Sequence, residues 1–305
     1  MLRKLLILSG LIAATTMSLA IKPDKKYIRL PQNEGLIYKE LPVLTEDGYK
    51  IKTWFFPAQD MPDEKAKSER MLPYKTLSEE SRPTIVICNG DAGNMSYQQI
   101  FLAKIYTANG YNVVTFDWRG FGESSDFPMN ENYLCYTEML ADYEAVINTV
   151  MEQSEVDKKR IYLFGWSTGG YLSMITAHRS EYVAGIFAIG MASCFEEAIP
   201  QLMKVLGKKK ENLLVPDDFP CEQMPACIAP YFKKPVFLIV GSEDNRTPLW
   251  MSERIINSLP AGTVGKISVF EGAGHGGIES PLVRDSERFV VETLDFLSSL
   301  NDTNG

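Results

Sequence analysis

A serine set among glycines is the first feature of this 305-residue chain that could do chemistry. Gly165-Trp166-Ser167-Thr168-Gly169 fits G-x-S-x-G, a sharp turn between a strand and a helix that exposes a serine hydroxyl. A hydroxyl is a weak nucleophile until a base accepts its proton, and the chain offers two histidines. His178 lies about three turns further along the helix that Ser167 should begin. It reads as a helix-end residue favoured by the macrodipole. His275 lies in Gly272-Ala273-Gly274-His275-Gly276-Gly277, a glycine-rich loop after the last expected strand, and is the candidate base.

The imidazole needs an acid to fix its tautomer. Glu243 and Asp244 both close an apolar run, and neighbours in extended chain point to opposite sides, so only one can face the histidine. Acyl transfer also needs N–H donors where negative charge develops. The backbone N–H of Thr168, at a helix start, is one candidate. The second should come from the loop after residues 84–90, and by position it is Asp91. No metal or organic cofactor is called for. There is no Cys-x-x-Cys or Cys/His cluster, and two histidines make a zinc site improbable.

The elements that must position these residues follow a regular rhythm. Short apolar, β-branched runs fall at 84–90, 111–117, 160–166, 183–191, 234–242 and 265–274. Helical patterns fall between them at 96–109, 131–153, 167–179 and 248–259, with a last one at 279–299. Residues 35–58 read as two further strands joined near Glu46-Asp47-Gly48, and 58–82 as a polar surface excursion. Such alternation predicts an α/β class: a doubly wound, mostly parallel sheet with helices on both faces. Ligands of such sheets bind beyond the carboxyl ends of the strands, where each candidate falls. Residues 194–234 break the rhythm with Pro200, Pro216, Pro220, Pro225 and Pro230, and are expected to form a small lid or a passive insertion. Phe195, Ile199, Leu202, Met203 and Leu206 within it either line an apolar acyl pocket or pack the insertion on the core.

The chain resembles the α/β-hydrolase superfamily, near its serine aminopeptidase and monoacylglycerol-lipase-like lineages. The resemblance covers roughly residues 40 to 298. It rests on Asn89–Asn94 (NGDAGN, similar to an HGxxGN loop), on 116–124 (FDWRGFGES), on 165–170 (GWSTGG), on 241–248 (GSEDNRTP) and on 272–277 (GAGHGG). The order Ser167, Asp244, His275 is that of the superfamily, and its acid loop, Gly241-x-x-Asp244-x-x-x-Pro248, selects Asp244 over Glu243. The resemblance implies a structural role for Asp117, Arg119, Gly120 and Gly122. Asn89 stands where histidine is usual and should still hydrogen-bond within its loop. Asp91 should turn its carboxylate away from the oxyanion, capping the next helix.

The expected activity is therefore that of a serine hydrolase on a small-molecule carboxylic ester, with amides or thioesters less favoured. The same triad would serve an acyltransferase, and the fold alone would serve an inactive binding protein. A net charge of −8 argues against nucleic acid as a partner, and Lys208-Lys209-Lys210 reads as a solvated helix end. Residues 1–21, with Arg3 and Lys4 ahead of an apolar stretch and Ser18-Leu19-Ala20, resemble a signal peptide cleaved on export to the periplasm or medium. The alternative is an uncleaved N-terminal anchor, the one expected route to a membrane. The hydrolase domain proper is then expected over 27–299. Of five cysteines, Cys88 and Cys135 are expected to be buried thiols, and Cys221 and Cys227 are near enough to bridge; Cys194 has no evident partner.

Overall fold

The computed structural model describes residues 20–302 apart from 76, 78 and 79, so the expected leader lies outside the described residues up to residue 19. Runs that are β-branched and aromatic in the centre and more polar at the two edges build one eight-stranded sheet. Its strands are β1 (Lys39–Glu40), β2 (Thr53–Phe56), β3 (Arg82–Cys88), β4 (Asn112–Phe116), β5 (Val156–Trp166), β6 (Val183–Ile189), β7 (Val236–Gly241) and β8 (Gly265–Phe270). The spatial order is β1-β2-β4-β3-β5-β6-β7-β8. β2 runs antiparallel to both neighbours, and β4 through β8 with β3 are parallel.

Alternate residues feed two cores, as the two-residue period of a strand requires. Val86, Leu163 and Ile186 face one layer, while Ile85, Phe164 and Phe187 face the other. The flanking helices are α1 (Gln98–Thr107), α2 (Glu138–Met151), α3 (Thr168–Arg179), α4 (Phe195–Leu206), α5 (Leu249–Asn257) and α6 (Ser286–Asp302). This is the doubly wound α/β architecture that the alternation predicts. The hairpin at Gly48 is also present, joining Val43–Leu44 to Lys50–Ile51.

Two helices differ from expectation for identifiable reasons. The pattern at 131–153 forms a helix only from Glu138, because the chain ahead of it is held extended against the insertion. Leu134 N–H donates to Leu214 O at 2.8 Å, and Leu214 N–H donates to Asn132 O at 2.7 Å. The final helix is interrupted at Asp285, whose backbone (φ −145°, ψ 74°) separates a turn at Pro281–Arg284 from α6.

The insertion leaves the sheet after β6 and returns at β7. α4 opens it, and short turns at Lys210–Asn212, Cys221–Gln223, Pro225–Ile228 and Ala229–Tyr231 complete it. Cys221 and Cys227 do not bridge: both thiols are free, the first half-buried and the second exposed on the Pro225–Ile228 turn. Cys88 and Cys135 are buried, and Cys88 is pushed up to about 12 by burial.

The fold engages the chain from residue 20, ahead of the expected start at 27. Lys22–Pro23 pairs in parallel with Ala92–Gly93, Ala20 N–H donates to Glu131 O at 2.9 Å, and Ile21 is fully buried. Among the described residues, no helix is long and apolar enough to cross a membrane.

Candidate active site

Ser167 occupies the single residue between β5 and α3. Its backbone (φ 51°, ψ −113°) makes it the one non-glycine residue with positive φ among those described. Such a conformation costs on the order of 1–3 kcal/mol and persists only where the surroundings enforce it. Ser167 N–H donates to Ile189 O at 2.9 Å, and Ser167 O accepts from Gly170 N–H at 2.9 Å. Glycine is required on either side by close approach. A Cβ at Gly165 would lie 2.3 Å from Gly169 O, and one at Gly169 would lie 2.0 Å from Asn89 O.

The loop after β8 brings His275 to this turn. Its Nε2 is 3.0 Å from Ser167 Oγ, and its Nδ1 is 2.8 Å from Asp244 Oδ2. Trp166, beside the serine, donates from Nε1 to His275 O at 3.3 Å. Gly190, with φ +58°, underlies the imidazole, and a Cβ there would stand 3.0 Å from the ring. Asp244 is 4% exposed. Its Oδ1 accepts from the N–H groups of Arg246 and Thr247, both at 2.9 Å. Burial alone would raise its pKa, but the bond to His275 and the Thr247 donors outweigh it and hold the carboxyl below its ordinary value. Glu243 is exposed. His178 is exposed at the end of α3 against Phe232, remote in role from this cluster.

Thr247 is a member of the cluster that the sequence analysis missed. Its hydroxyl donates to Asp244 Oδ2 at 2.8 Å and lies 3.0 Å from His275 Nδ1. The available signal was Asp244-x-x-Thr247, the spacing at which an aspartate side chain accepts from backbone N–H groups just ahead of it.

The second loop at the site follows β3. Asn89 Nδ2 donates to Asp117 Oδ1 at 3.0 Å and to Phe116 O at 3.3 Å, so asparagine does bind within its loop. Asp117 also accepts from Met95 N–H and Tyr27 Oη, both at 2.7 Å. Arg119, fully buried, is clamped by Asp142 through Nε at 2.8 Å and lies 4.2 Å from the Tyr49 ring. These contacts are architectural.

Asp91 departs from expectation. It caps no helix and lines the same cleft as Ser167, Thr168 and His275. Its backbone is fixed there by Lys22 N–H, which donates to Asp91 O at 2.7 Å. Burial holds its pKa above the ordinary value, against the lowering effect of the charges on His275, Arg246 and Lys208. Lys208 is a second correction. It is not a solvated helix end but lines the cleft, because Gly207 (φ +63°) ends α4 in the left-handed conformation and turns the chain back.

The cleft is partly open to solvent and has about 50 Å³ of room for water-sized groups. Leu134, Phe195, Leu202, Leu206 and Leu213 form its apolar wall, and Ala20 of the N-terminal strand closes part of it. Both readings of the insertion hold in part. Phe195, Leu202 and Leu206 line the cleft, Phe195 and Leu202 also pack on the core, and Ile199 and Met203 pack on the core outside the cleft.

Sheet order, elbow and cleft define an α/β-hydrolase, a serine hydrolase-type enzyme. The model of the prolyl oligopeptidase family matches residues 95–300, and the chain belongs to that family. It is 27% identical to the uncharacterized protein YfhR of Escherichia coli K12, over 85% of this chain and 80% of YfhR. It is 22% identical to an uncharacterized membrane protein of Saccharomyces cerevisiae, YNL320W, over 83% of this chain and 84% of that one. The Pyrococcus furiosus esterase Pf2001 shares the fold with a TM-score of 0.69 at 17% identity, covering 92% of this chain and 97% of the esterase.

Proposed function

We propose that the protein hydrolyses carboxylic esters of small acyl groups through Ser167, His275 and Asp244. The observation that carries this reading is the continuous hydrogen-bonded line from Ser167 Oγ through both imidazole nitrogens to a buried carboxylate. Ser167 Oγ forms a bond to the acyl carbon as His275 Nε2 takes its proton, and the carbonyl electron pair moves onto oxygen. The N–H groups of Thr168 and Asp91 face that oxygen. The intermediate then re-forms the carbonyl and breaks the bond to the leaving alcohol, which receives the proton from His275. Water, deprotonated by the same imidazole, attacks the acyl-enzyme, and the carboxylic acid leaves with Ser167 regenerated. Asp244 keeps Nδ1 protonated so that Nε2 can take each proton and return it, and Thr247 fixes the carboxylate against the ring. No metal or cofactor takes part in this sequence.

The apolar wall supports an acyl group as the part held in the cleft, with α4 and the turns after it serving as a lid. Esterase activity in Pf2001 supports the ester over the amide, while the family description keeps peptides as the competing substrate class. For the N-terminus, burial of Ile21 supports retention of the leader as an anchor, since cleavage after Ala20 would leave a charged ammonium in that buried position. The yeast relative is likewise called a membrane protein.

A series of p-nitrophenyl esters of rising chain length, each with its anilide counterpart, tests the reading on the full chain and on Ser167→Ala. Ester turnover lost in the variant, with fluorophosphonate labelling of Ser167, is expected. Anilides turned over faster than esters would transfer the reading to peptides. Absence of both turnover and labelling would overturn it.

A further inference from the structure

The cleft holds two cations that the hydrolytic sequence does not use. Lys208 and Arg246 both line it with Ser167 and His275, and both are half-buried. They reach it from separate places, one just beyond α4 and one from the Asp244 loop. Among the described residues neither side chain has an ion-pair partner within 4.0 Å, although most Lys and Arg of comparable burial have one. The backbone N–H of Arg246 binds Asp244, but its guanidinium remains uncommitted.

Of the acidic side chains nearby, Asp244 is committed to His275 and Thr247, and Asp91 shares the cleft with the two cations. Among the described residues Asp91 makes no ion pair with either of them, and burial raises its pKa. The Lys208 pKa is lowered, first by burial and then by the Arg246 charge, against the raising effect of the Asp91 charge. Like charges brought together in a half-desolvated cleft are unfavourable unless an anion joins them. Lysine supplies a point charge and arginine a planar fork, a combination suited to carboxylate or phosphate oxygens.

Resting on the serine hydrolase reading, we infer that the enzyme selects esters carrying an anionic group, which Lys208 and Arg246 bind while the apolar wall takes the acyl chain. A carboxylate at the far end of the acyl half and a phosphate on the alcohol half present the same chemistry from two sources, and the test separates them.

The test compares kcat/KM of the full chain for p-nitrophenyl butyrate, mono-p-nitrophenyl succinate, monobutyrylglycerol and butyrylglycerol phosphate. Within one of the two matched pairs, the anionic ester is expected to exceed the neutral one by about tenfold or more, mainly through KM. The pair that shows it identifies the half that carries the anion. In Lys208→Ala/Arg246→Gln that ratio is expected to fall to about one or below. The neutral ester of each pair corrects for any loss of folded enzyme. Should the double variant not fold, inhibition of wild-type butyrate hydrolysis by succinate or glycerol phosphate, but not by butanol, gives the same discrimination.

Turnover with both ratios at or below one in wild type overturns the inference and leaves the hydrolase reading intact, as does a ratio unmoved in the double variant. Preference for an ester bearing a free ammonium also overturns it, and would assign Asp91 as the recognition group. Labelling of Ser167 without turnover of any of the four esters removes the anionic-ester inference alone. Absence of both labelling and turnover removes the two together.

Discussion

Asp244 and Asp91 both serve the neighbourhood of Ser167, and their surroundings are opposite. Asp244 receives backbone N–H groups on one oxygen and Thr247 and His275 on the other. Its pKa is held down despite burial. Asp91 sees the charges of His275, Arg246 and Lys208 at a distance, but among the described residues no other residue donates to its carboxyl, and burial holds its pKa up. The same residue type thus has its pKa lowered where donors gather and raised where they do not. The lesson is that hydrogen-bond donors, rather than residue type, set the direction of the shift.

The relay side can be broken most severely. His275→Ala is expected to reduce kcat by up to about a millionfold, the magnitude seen when one member of a serine protease triad is lost. Asp244→Asn keeps the shape but favours the wrong tautomer, and about 10⁴-fold is expected. Steady-state kinetics with p-nitrophenyl butyrate checks both. Thr247→Val sharpens the picture, because it removes one hydroxyl while leaving the backbone donor to Asp244 in place. A net hydrogen bond of about 1 kcal/mol translates to a loss of roughly fivefold in kcat, with KM little changed. A loss as large as that of Asp244→Asn would show that Thr247 carries the relay geometry itself.

The oxyanion side should respond in the other direction. Asp91→Asn is expected to raise kcat a few-fold at alkaline pH and to change little in acid. Stability separates the two aspartates more directly. Asp91 has a folded pKa above its unfolded value, so its contribution is full in acid and is lost as pH rises through the folded value. Asp244 has a folded pKa below its unfolded value, so its contribution is present above the ordinary carboxylate range and is lost as pH falls. Thermal denaturation from acid to neutral pH should therefore show Asp91→Asn gaining on wild type as pH rises. The reverse trend would mean that Asp91 is ionised in the fold.

How much of this was legible in the sequence follows the same division. Ser167, His275 and Asp244 each announce themselves locally, by glycine spacing, by a glycine-rich loop or by the end of an apolar run. The sheet was legible for the same reason, since residues 84–90 or 160–166 need no partner to read as buried strands. Gly190, Lys208 and Arg246 gave no comparable sign, and Thr247 gave only its spacing from Asp244. Their roles arise where distant segments meet, as when Gly190 leaves room for an imidazole 85 positions later. Lys208 was misread because the turn at Gly207, not the lysine run, decides which of three adjacent cations enters the cleft. The early end of α2 was hidden by hydrogen bonds from Leu214, which outweigh the helical pattern ahead of Glu138.

The N-terminal strand has a practical consequence. Residues ahead of the first motif are usually trimmed from recombinant versions of a leader-bearing protein, and a start at Tyr27 would look conservative. It would remove Ala20 from the cleft wall, the strand partner of Ala92–Gly93, and the Lys22 N–H that fixes the Asp91 carbonyl. An expression version cut there would be soluble in name and poorly organised at the loop of residues 89–94, so low turnover from such material would report on the trimming rather than on the enzyme.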